Sequence, residues 1–309
     1  MGLLRRIQLD FVPEWWGLGL VALLDAAWAQ QIHFDLMLTW QDAGLLGVSG
    51  GVMVALRLFG GRGIPAQGGL IAEYFSLTFV ATCVFGVFSY LAVASSGSLV
   101  DSALLAIDRM LGFDWPSGYH FLLTHPLPAK FLQIAYNSLF YQALYFCLLM
   151  GVMNNKRELR RMFWLTFVAG LFTNIGALLF PALGPFQALN VDPKHDFVME
   201  MEYLKSGQPL SFTLAHMTGV VSFPSLHTTM ALAYAYCFRH TGVIGWIAIA
   251  LNALMLCSVP YFGGHYLVDM IAGAGVFALS LAIVTLIGKL RASADCAWRE
   301  SAAECGGAC

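Results

Sequence analysis

Val221-Ser-Phe-Pro-Ser-Leu-His-Thr228 and Gly263-Gly-His-Tyr-Leu-Val-Asp269 each border a long apolar run of the sequence. The first stretch places a proline, a serine and a histidine where a helix is expected to begin. The second places His265 and Asp269 four residues apart, which puts both side chains on one face of a helix. We interpret the remainder of the chain as a scaffold that holds these side chains.

The composition is that of a polytopic membrane protein. Of the 309 residues, 59% are hydrophobic and 11% are charged, and the mean hydropathy is +0.71. Soluble domains carry about 25% charged residues. The net charge of -2 argues against nucleic acid as a partner, because nucleic-acid-binding proteins present a basic surface. The expected partner at this stage is the bilayer, and the composition leaves the oligomeric state open.

A spanning helix needs about 20 mostly apolar residues, and the sequence contains eight candidate runs. The predicted fold is therefore an all-α bundle of about eight membrane helices. The first run follows Arg5 and Arg6 and resembles a cleavable signal sequence, but Asp25 and the Trp15-Trp16 pair favour a retained anchor helix. The predicted spans are 14–32, 43–60, 68–95, 129–152, 162–181, 224–238, 243–260 and 264–288.

Basic residues predict the orientation, because cytoplasmic loops carry an excess of lysine and arginine. With a cytoplasmic N-terminus, twelve basic residues fall inside and four outside, so this orientation is favoured. Both termini are then cytoplasmic, and both histidine stretches open on the outer face, which in a bacterial inner membrane would be the periplasmic face. The outside set is Arg109, Lys130, Lys194 and Lys205, and the inside set is Arg5, Arg6, Arg57, Arg62, Lys156, Arg157, Arg160, Arg161, Arg239, Lys289, Arg291 and Arg299.

Two outer segments are too long to be simple turns. From Asp101 to Trp115 apolar residues recur at helical spacing, with Asp108 and Arg109 set against them, which predicts an amphipathic helix in the membrane interface. The segment from Ala182 to Val220 is polar, and we interpret it either as a lid or acceptor-binding loop or as a structureless connector. Its candidate substrate-contacting residues are Lys194, His195, Lys205 and His216.

In the first stretch, Pro224 suits the opening turn of a helix and Ser222 suits its N-cap. Free backbone N–H groups at such a helix start favour a bound phosphate, and Ser225 adds a hydroxyl donor. His227, one turn into the helix, is placed to give a proton to a leaving oxygen. The alternative is an interfacial histidine that only hydrogen-bonds a neighbouring loop.

In the second stretch, Gly263 and Gly264 permit a tight turn into the helix. A carboxylate at Asp269 can fix the tautomer of His265 and leave the other ring nitrogen free as a nucleophile. Asp269 also lies in an apolar run, where a carboxylate is costly enough to indicate function. The pair could instead be a structural tie or part of a metal site, although these helices supply no third ligand. The expected phosphate-binding residues are Ser222, Ser225 and Gly264.

Pro224-Ser-Leu-His227, followed by Ser258, His265 and Asp269, resembles the second and third motifs of the type 2 phosphatidic acid phosphatase superfamily. In that family the later histidine attacks phosphorus, the aspartate orients it and the earlier histidine protonates the leaving group. The resemblance implies these catalytic roles for His265, Asp269 and His227. The chain then divides into additional N-terminal helices, a six-helix core and a cytoplasmic tail expected to be disordered, over 1–63, 64–290 and 291–309.

The sequence departs from the family in two places. The family's arginine after the third-motif serine is Val259 here, and the Pro-rich turn 180–186 lacks the basic residues of the first motif. This pattern is similar to the branch that contains inositol-phosphorylceramide synthases and sphingomyelin synthases, which move a phospho-headgroup between lipids. Asp108-Arg-Met-Leu-Gly-Phe-Asp-Trp115 and Ala135-Tyr-Asn-Ser138 also look like bacterial members of that branch. A site that lacks these basic residues favours a phosphodiester substrate over a dianionic monoester, because a phosphodiester carries less negative charge.

The leading hypothesis is a lipid phosphotransferase or phosphatase that works through a phosphohistidine at His265, with inositol phosphotransferase-like headgroup transfer favoured. One alternative is a lipid-phosphate monoesterase or pyrophosphatase. Another is a non-catalytic lipid transporter or scaffold, which predicts that replacing His265 leaves function intact. The scheme needs no metal and no cofactor, because the helix dipole, Ser225 and backbone amides carry the charge stabilisation.

Overall fold

The computed structural model of the chain describes residues 13–37, 39–40, 44, 47, 66–192, 195–208, 210–213 and 219–306. These residues form a helical bundle and one two-stranded sheet. The elements in chain order are α1 (Pro13–Gln31), β1 (Phe34–Met37), α2 (Ala66–Ser95), α3 (Asp101–Met110), α4 (Trp115–Thr124), α5 (Pro126–Val152), α6 (Lys156–Leu179), α7 (Pro185–Ala188), α8 (Asp196–Leu204), β2 (Leu210–Thr213), α9 (Leu226–Phe238), α10 (Val243–Phe262) and α11 (Leu267–Gly306).

Four helices of the described chain are long and apolar enough to cross a membrane: Gln67–Ser95, Lys156–Leu179, Val243–Phe262 and Leu267–Leu290. The all-α membrane class is therefore confirmed, but the count of eight spans is not. The predicted span 43–60 lies almost entirely outside the described residues. The predicted span 224–238 forms α9, whose 13 residues reach about 20 Å, less than the ~30 Å hydrocarbon core of a bilayer.

Two further predicted spans, 14–32 and 129–152, form α1 and α5 but are not among these four helices. Polar side chains lower the hydropathy of both: α1 buries Glu14 and Asp25, and α5 buries Gln142. Glu14 is paired, since the Nε of Arg160 in α6 lies 2.6 Å from its Oε1. The buried charge in α1 thus fastens this helix to α6.

The last helix continues beyond the predicted span to Gly306. The described residues 291–306 are therefore helical, although we expect disorder over 291–309, of which 307–309 lie outside the described residues. The sequence from Arg291 to Glu304 contains several alanines and neither glycine nor proline, which is a composition that favours helix.

Helix α9 lies at the centre of the bundle, where it contacts α5, α6, α10 and α11. Its approach to α11 is close because Gly273 has no side chain: a Cβ there would collide with the carbonyl oxygen of Ser225. The N–H of Ser225 donates to the carbonyl of Asp269 at 3.0 Å, and Thr229 Oγ1 donates to the carbonyl of Gly273 at 2.9 Å. The two histidine stretches therefore meet at one end of the bundle.

A buried amide pair joins α5 to α10. Gln142 and Asn252 are 6% and 1% exposed. Asn252 Nδ2 donates to Gln142 Oε1 at 2.7 Å, and Gln142 Nε2 donates to Asn252 Oδ1 at 3.3 Å. Each amide thus satisfies the other between two apolar helices.

Replacing Asn252 by alanine is expected to destabilise the bundle, because Gln142 then loses its main partner in an apolar environment. We expect a loss of about 1–3 kcal/mol in the free energy of unfolding, measured as a lower Tm in detergent. The double variant Gln142→Leu/Asn252→Leu removes both polar groups and should recover much of that loss. A Tm for Asn252→Ala equal to that of the unmodified protein would contradict this account.

The outer segment from Ala182 to Val220 is folded and fastened, so the structureless connector is wrong for its described residues. It contains α7, α8 and β2, and β2 pairs in parallel with β1. Lys205 Nζ donates to Ser96 O, Ser96 Oγ and Gly97 O at 3.0, 2.9 and 2.8 Å, at the end of α2. The segment is thereby anchored both to α2 and to the strand that follows α1.

The segment predicted to be an amphipathic helix, from Asp101 to Trp115, forms α3 and the first residue of α4. Its buried face contains Leu104, as expected, and also Asp108, which is 1% exposed. We had expected Asp108 on the polar face, turned away from the apolar residues. An inward carboxylate therefore points from α3 towards the end of the bundle where the histidines meet.

Candidate active site

The start of α9 is capped by Ser225, whose Oγ accepts a hydrogen bond from the N–H of Thr228 at 3.3 Å. The prediction that the helix opens at Pro224 with Ser222 as its N-cap is wrong. The helix begins at Leu226, because the hydroxyl directly before it serves as the cap. Ser222 is thereby free for a different role.

The prediction that His265 and Asp269 share one face of a helix is wrong, because α11 begins at Leu267 and His265 precedes it by two residues. The turn into α11 still brings the two side chains together, and they are 3% and 0% exposed. His265 Nδ1 lies 3.4 Å from Asp269 Oδ2. The same carboxylate oxygen accepts from the N–H of Tyr266 at 2.9 Å and from Ser222 Oγ at 3.3 Å. The carboxylate is thus held by its own helix turn and by the first histidine stretch.

Two buried polar atoms of this pair, His265 Nδ1 and Asp269 Oδ1, have no hydrogen-bond partner among the described residues. The 3.4 Å approach has the distance of an ion pair but does not have the geometry of a hydrogen bond. Buried polar atoms are normally satisfied, and catalytic hydrogen bonds often tighten only when substrate is bound. The incomplete hydrogen bonding of this buried pair supports the catalytic role proposed below.

The second histidine faces the first across the two helix starts. The ring centroids of His227 and His265 are 6.4 Å apart, with 58° between the ring planes. His227 also stacks on Tyr136 of α5, at 4.2 Å and 12°. Tyr136 therefore sets the orientation of His227. The sequence alone does not predict this role, although Ala135–Ser138 resembles bacterial members of the branch that transfers headgroups.

The turn after α6 contacts the turn before α11 at two glycines. Gly184 and Gly264 have φ values of +82° and +59°, in the left-handed region that favours glycine. A Cβ on Gly184 would collide with the carbonyl oxygen of Gly264, and a Cβ on Gly264 would lie 2.6 Å from the ring of Phe186. The backbone of Gly264, an expected phosphate-binding residue, is thus placed by the Pro-rich turn.

Replacing Gly184 by alanine is expected to lower both Tm and activity, because the turn must move away from Gly264. A side chain at positive φ costs about 1–3 kcal/mol, and the collision adds to this cost. Gly207→Ala is the matched control, since Gly207 has a φ of +71° but open space where its Cβ would lie. Equal Tm and equal activity for the two variants would contradict the prediction.

Two carboxylates of α3 bind the backbone around the site. Asp108 accepts from the N–H groups of Leu267 at 2.8 Å and Val268 at 2.9 Å. Burial raises the pKa of Asp108, and these two hydrogen bonds oppose that shift. The sequence carried a signal for this arrangement, because Asp101 and Asp108 are seven residues apart and so lie on one helix face.

Asp101 connects three groups. Its two oxygens accept from the N–H groups of Leu183 at 3.0 Å and Gly184 at 2.8 Å, and from the Tyr266 hydroxyl at 2.9 Å. Burial and the negative charge of Asp101 raise the pKa of Tyr266. Asp101 thus joins the Pro-rich turn to the residue that follows His265.

The candidate residues of the outer segment are placed differently. Lys194 and His216 lie outside the described residues. His195 caps α8 by accepting from the N–H of Phe197 at 3.4 Å, and its ring stacks on Phe186 at 4.6 Å. All three donors of Lys205 go to the end of α2, and burial lowers its pKa. The structure therefore brings neither His195 nor Lys205 into contact with the histidine pair.

Cations are scarce at this site. Among the described residues, no lysine or arginine forms a hydrogen bond or ion pair with His227, His265 or Asp269. Val259, where the family carries an arginine, is 0% exposed within the main hydrophobic core. No group of three or more His, Cys, Asp or Glu side chains is arranged to hold a metal ion in the described part of the chain.

Comparison with known proteins gives one match. The family model described as the PAP2 superfamily matches residues 102–283, more than half of the chain, and includes both histidine stretches. No curated protein and no solved structure matches the chain.

Proposed function

Because the chain belongs to the PAP2 superfamily, whose members are phosphoesterases and phosphotransferases, we propose that it is an integral-membrane lipid phosphotransferase acting through a phosphohistidine at His265. The observation that carries the proposal is the meeting of His227, His265 and Asp269 at one end of the bundle, with 6.4 Å between the two rings. We further propose transfer of a phospho-headgroup between lipids as the reaction.

In the first step, the lone pair of His265 Nε2 attacks phosphorus, and the bond from phosphorus to the leaving lipid oxygen breaks. The Asp269 carboxylate keeps the ring proton on Nδ1, so that Nε2 is the free nucleophile, and stabilises the positive charge that develops on the ring. Protonated His227 gives its proton to the leaving oxygen. The products of this step are a lipid alcohol and a phosphohistidine that carries the headgroup.

In the second step, the hydroxyl of an acceptor lipid attacks phosphorus and gives its proton to His227. The bond between phosphorus and His265 Nε2 breaks, which restores both histidines to their starting states. Water in place of the acceptor hydroxyl would give hydrolysis by the same route. The acceptor therefore distinguishes a transferase from a phosphatase, while the histidine chemistry is common to both.

The shortage of cations supports a phosphodiester donor. A phosphodiester carries one negative charge, whereas a phosphate monoester carries up to two and requires more compensation. The site offers the positive end of α9 and the Ser225 hydroxyl, which suit a singly charged group. This reasoning favours headgroup transfer over release of phosphate from a lipid monoester.

We also propose that the site faces the outer side of the membrane. Arg161 of α6 and Arg239 at the end of α9 lie 5.9 and 3.6 Å from the ring centroid of Tyr236. These basic residues thus share one end of the bundle, and His227 is at the other end of α9. Basic residues mark the cytoplasmic end of membrane helices, which supports an outward-facing site.

The test uses purified protein in detergent with labelled phospholipid donors, ceramide as an acceptor, and lipid phosphates and pyrophosphates as competing substrates. We expect a new labelled phospholipid without free phosphate from the unmodified protein and no product from His265→Ala. Free phosphate as the sole product would replace the transferase proposal with a phosphatase. No product from any lipid, with both proteins behaving alike, would overturn the catalytic proposal and favour a lipid transporter or scaffold.

A further inference from the structure

We propose that Asp108 of the outer helix α3 is a positioning residue for the reaction at His265. Its carboxylate fixes the first turn of α11, which carries Asp269. This inference rests on the proposed function, because it assigns the group that holds the nucleophile and its orienting carboxylate in register.

The argument begins with the backbone between the two catalytic side chains. The first N–H groups of a helix have no partner within that helix. In α11 these include Leu267 and Val268, which lie in sequence between His265 and Asp269. Both N–H groups donate to Asp108, at 2.8 and 2.9 Å. One carboxylate from another helix thus holds the segment that sets the relative orientation of the pair.

Tyr266 extends this connection to the second carboxylate of α3. Its N–H donates to Asp269 Oδ2 at 2.9 Å, and its hydroxyl donates to Asp101 Oδ1 at 2.9 Å. Tyr266 is 0% exposed, so neither bond competes with water. The helix α3 therefore holds the catalytic turn at two points. Asp108 binds its backbone directly, and Asp101 binds the hydroxyl of Tyr266.

Asp108 acts through the backbone and not on the substrate. Its two oxygens each accept one N–H group, and the side chain is 1% exposed. Two acceptors in one side chain match two adjacent donors, and asparagine would supply only one acceptor. The chemistry of this position therefore requires aspartate even though it makes no contact with the reacting atoms.

The experiment compares Asp108→Asn with Asp114→Asn in the full-length protein in detergent. Asp114 is a matched control, because it also caps a helix, accepting from Ser117 N at 3.2 Å, but is exposed and forms no bond with the catalytic turn. We expect kcat for lipid transfer to fall on the order of 100-fold in Asp108→Asn, with KM near that of the unmodified protein. Asp114→Asn should retain its kcat.

Hydrogen–deuterium exchange of the peptide 263–270 provides a readout that does not depend on activity. Faster exchange at Leu267 and Val268 is expected in Asp108→Asn and not in Asp114→Asn. Unchanged exchange, an unchanged kcat, or an equal loss of kcat in the control would each overturn the proposal. If the unmodified protein transfers no headgroup, the proposed function fails, and the exchange result alone decides whether Asp108 holds the turn.

Tyr266→Phe covers the case in which Asp108→Asn does not fold. This variant removes only the hydroxyl bond to Asp101 and keeps the ring in place. A lower kcat with an unchanged Tm would support positioning by α3. An unchanged kcat would overturn the part of the proposal that runs through Asp101 and the Tyr266 hydroxyl.

Discussion

Replacing His265 by alanine is expected to abolish lipid phosphoryl transfer, with a loss on the order of 10⁴-fold or more. The reason is chemical, because alanine removes the imidazole nitrogen that is proposed to form the covalent bond to phosphorus, and His227, stacked on Tyr136, is proposed as the proton donor. The measurement is the rate of labelled product formation, together with trapping of an acid-labile phosphoprotein. The label should appear on the unmodified protein and be absent from the variant.

The control for this variant is His125→Ala. His125 precedes α5, stacks on Phe121 at 4.1 Å and is exposed. Its replacement removes a histidine of the same chain without touching the site, so the transfer rate should stay close to that of the unmodified protein. A transfer rate that survives in His265→Ala would favour the scaffold alternative, and retained phosphoprotein would assign the nucleophile to another residue.

The sequence was sufficient for the class of fold and for the residues that meet at the site. Apolar runs of about 20 residues predict membrane helices without any knowledge of their contacts. His227, His265 and Asp269 were singled out because histidine and aspartate are rare in such runs, and the resemblance to the phosphatase motifs implied their roles. The four-residue spacing of His265 and Asp269 predicted a shared helix face, but the two side chains meet across the turn that leads into α11.

The sequence was insufficient where an interaction joins distant segments. Apolar spacing predicted one helix over Asp101–Trp115, of which Asp101–Met110 forms α3, but it placed Asp108 on the polar face, because the partners of that carboxylate are about 160 residues further along the chain. The N-cap assignment failed for a related reason. Ser222 and Ser225 both suit an N-cap locally, and the contact of Ser222 with Asp269 distinguishes them. Such pairings follow from packing, which a local pattern does not encode.

In the outer segment, too, the role of a charged residue depends on partners that are distant in sequence. Lys205 was a reasonable candidate for the missing phosphate-binding cations, since a basic residue in a polar outer loop is normally solvated. Three carbonyl and hydroxyl oxygens of Ser96 and Gly97 at the end of α2 bind its ammonium instead. The shortage of cations at the histidine pair is therefore a property of the fold in its described part, and it is the physical reason for favouring a singly charged donor.

Replacing Asp269 by asparagine is expected to lower the transfer rate on the order of 10³- to 10⁴-fold while leaving the protein at least as stable. With its oxygen at the position of Asp269 Oδ2, the asparagine side chain is neutral and cannot stabilise the positive charge that develops on the His265 ring during attack on phosphorus. The fold should persist because asparagine retains an oxygen for the N–H of Tyr266. It also removes a buried charge that no described cation compensates.

The opposite responses of rate and stability separate a catalytic carboxylate from a structural tie. If the pair were a tie, the asparagine variant would lose Tm in proportion to activity, because the same interaction would support both. Ser222→Ala provides the graded comparison, since it removes one donor to Asp269 Oδ2 and leaves the charge in place. We expect it to lower the rate about tenfold. Measuring rate and Tm for both variants in one detergent decides the matter: a parallel fall in Tm and rate for Asp269→Asn would assign the pair to structure and leave the reaction without its orienting group.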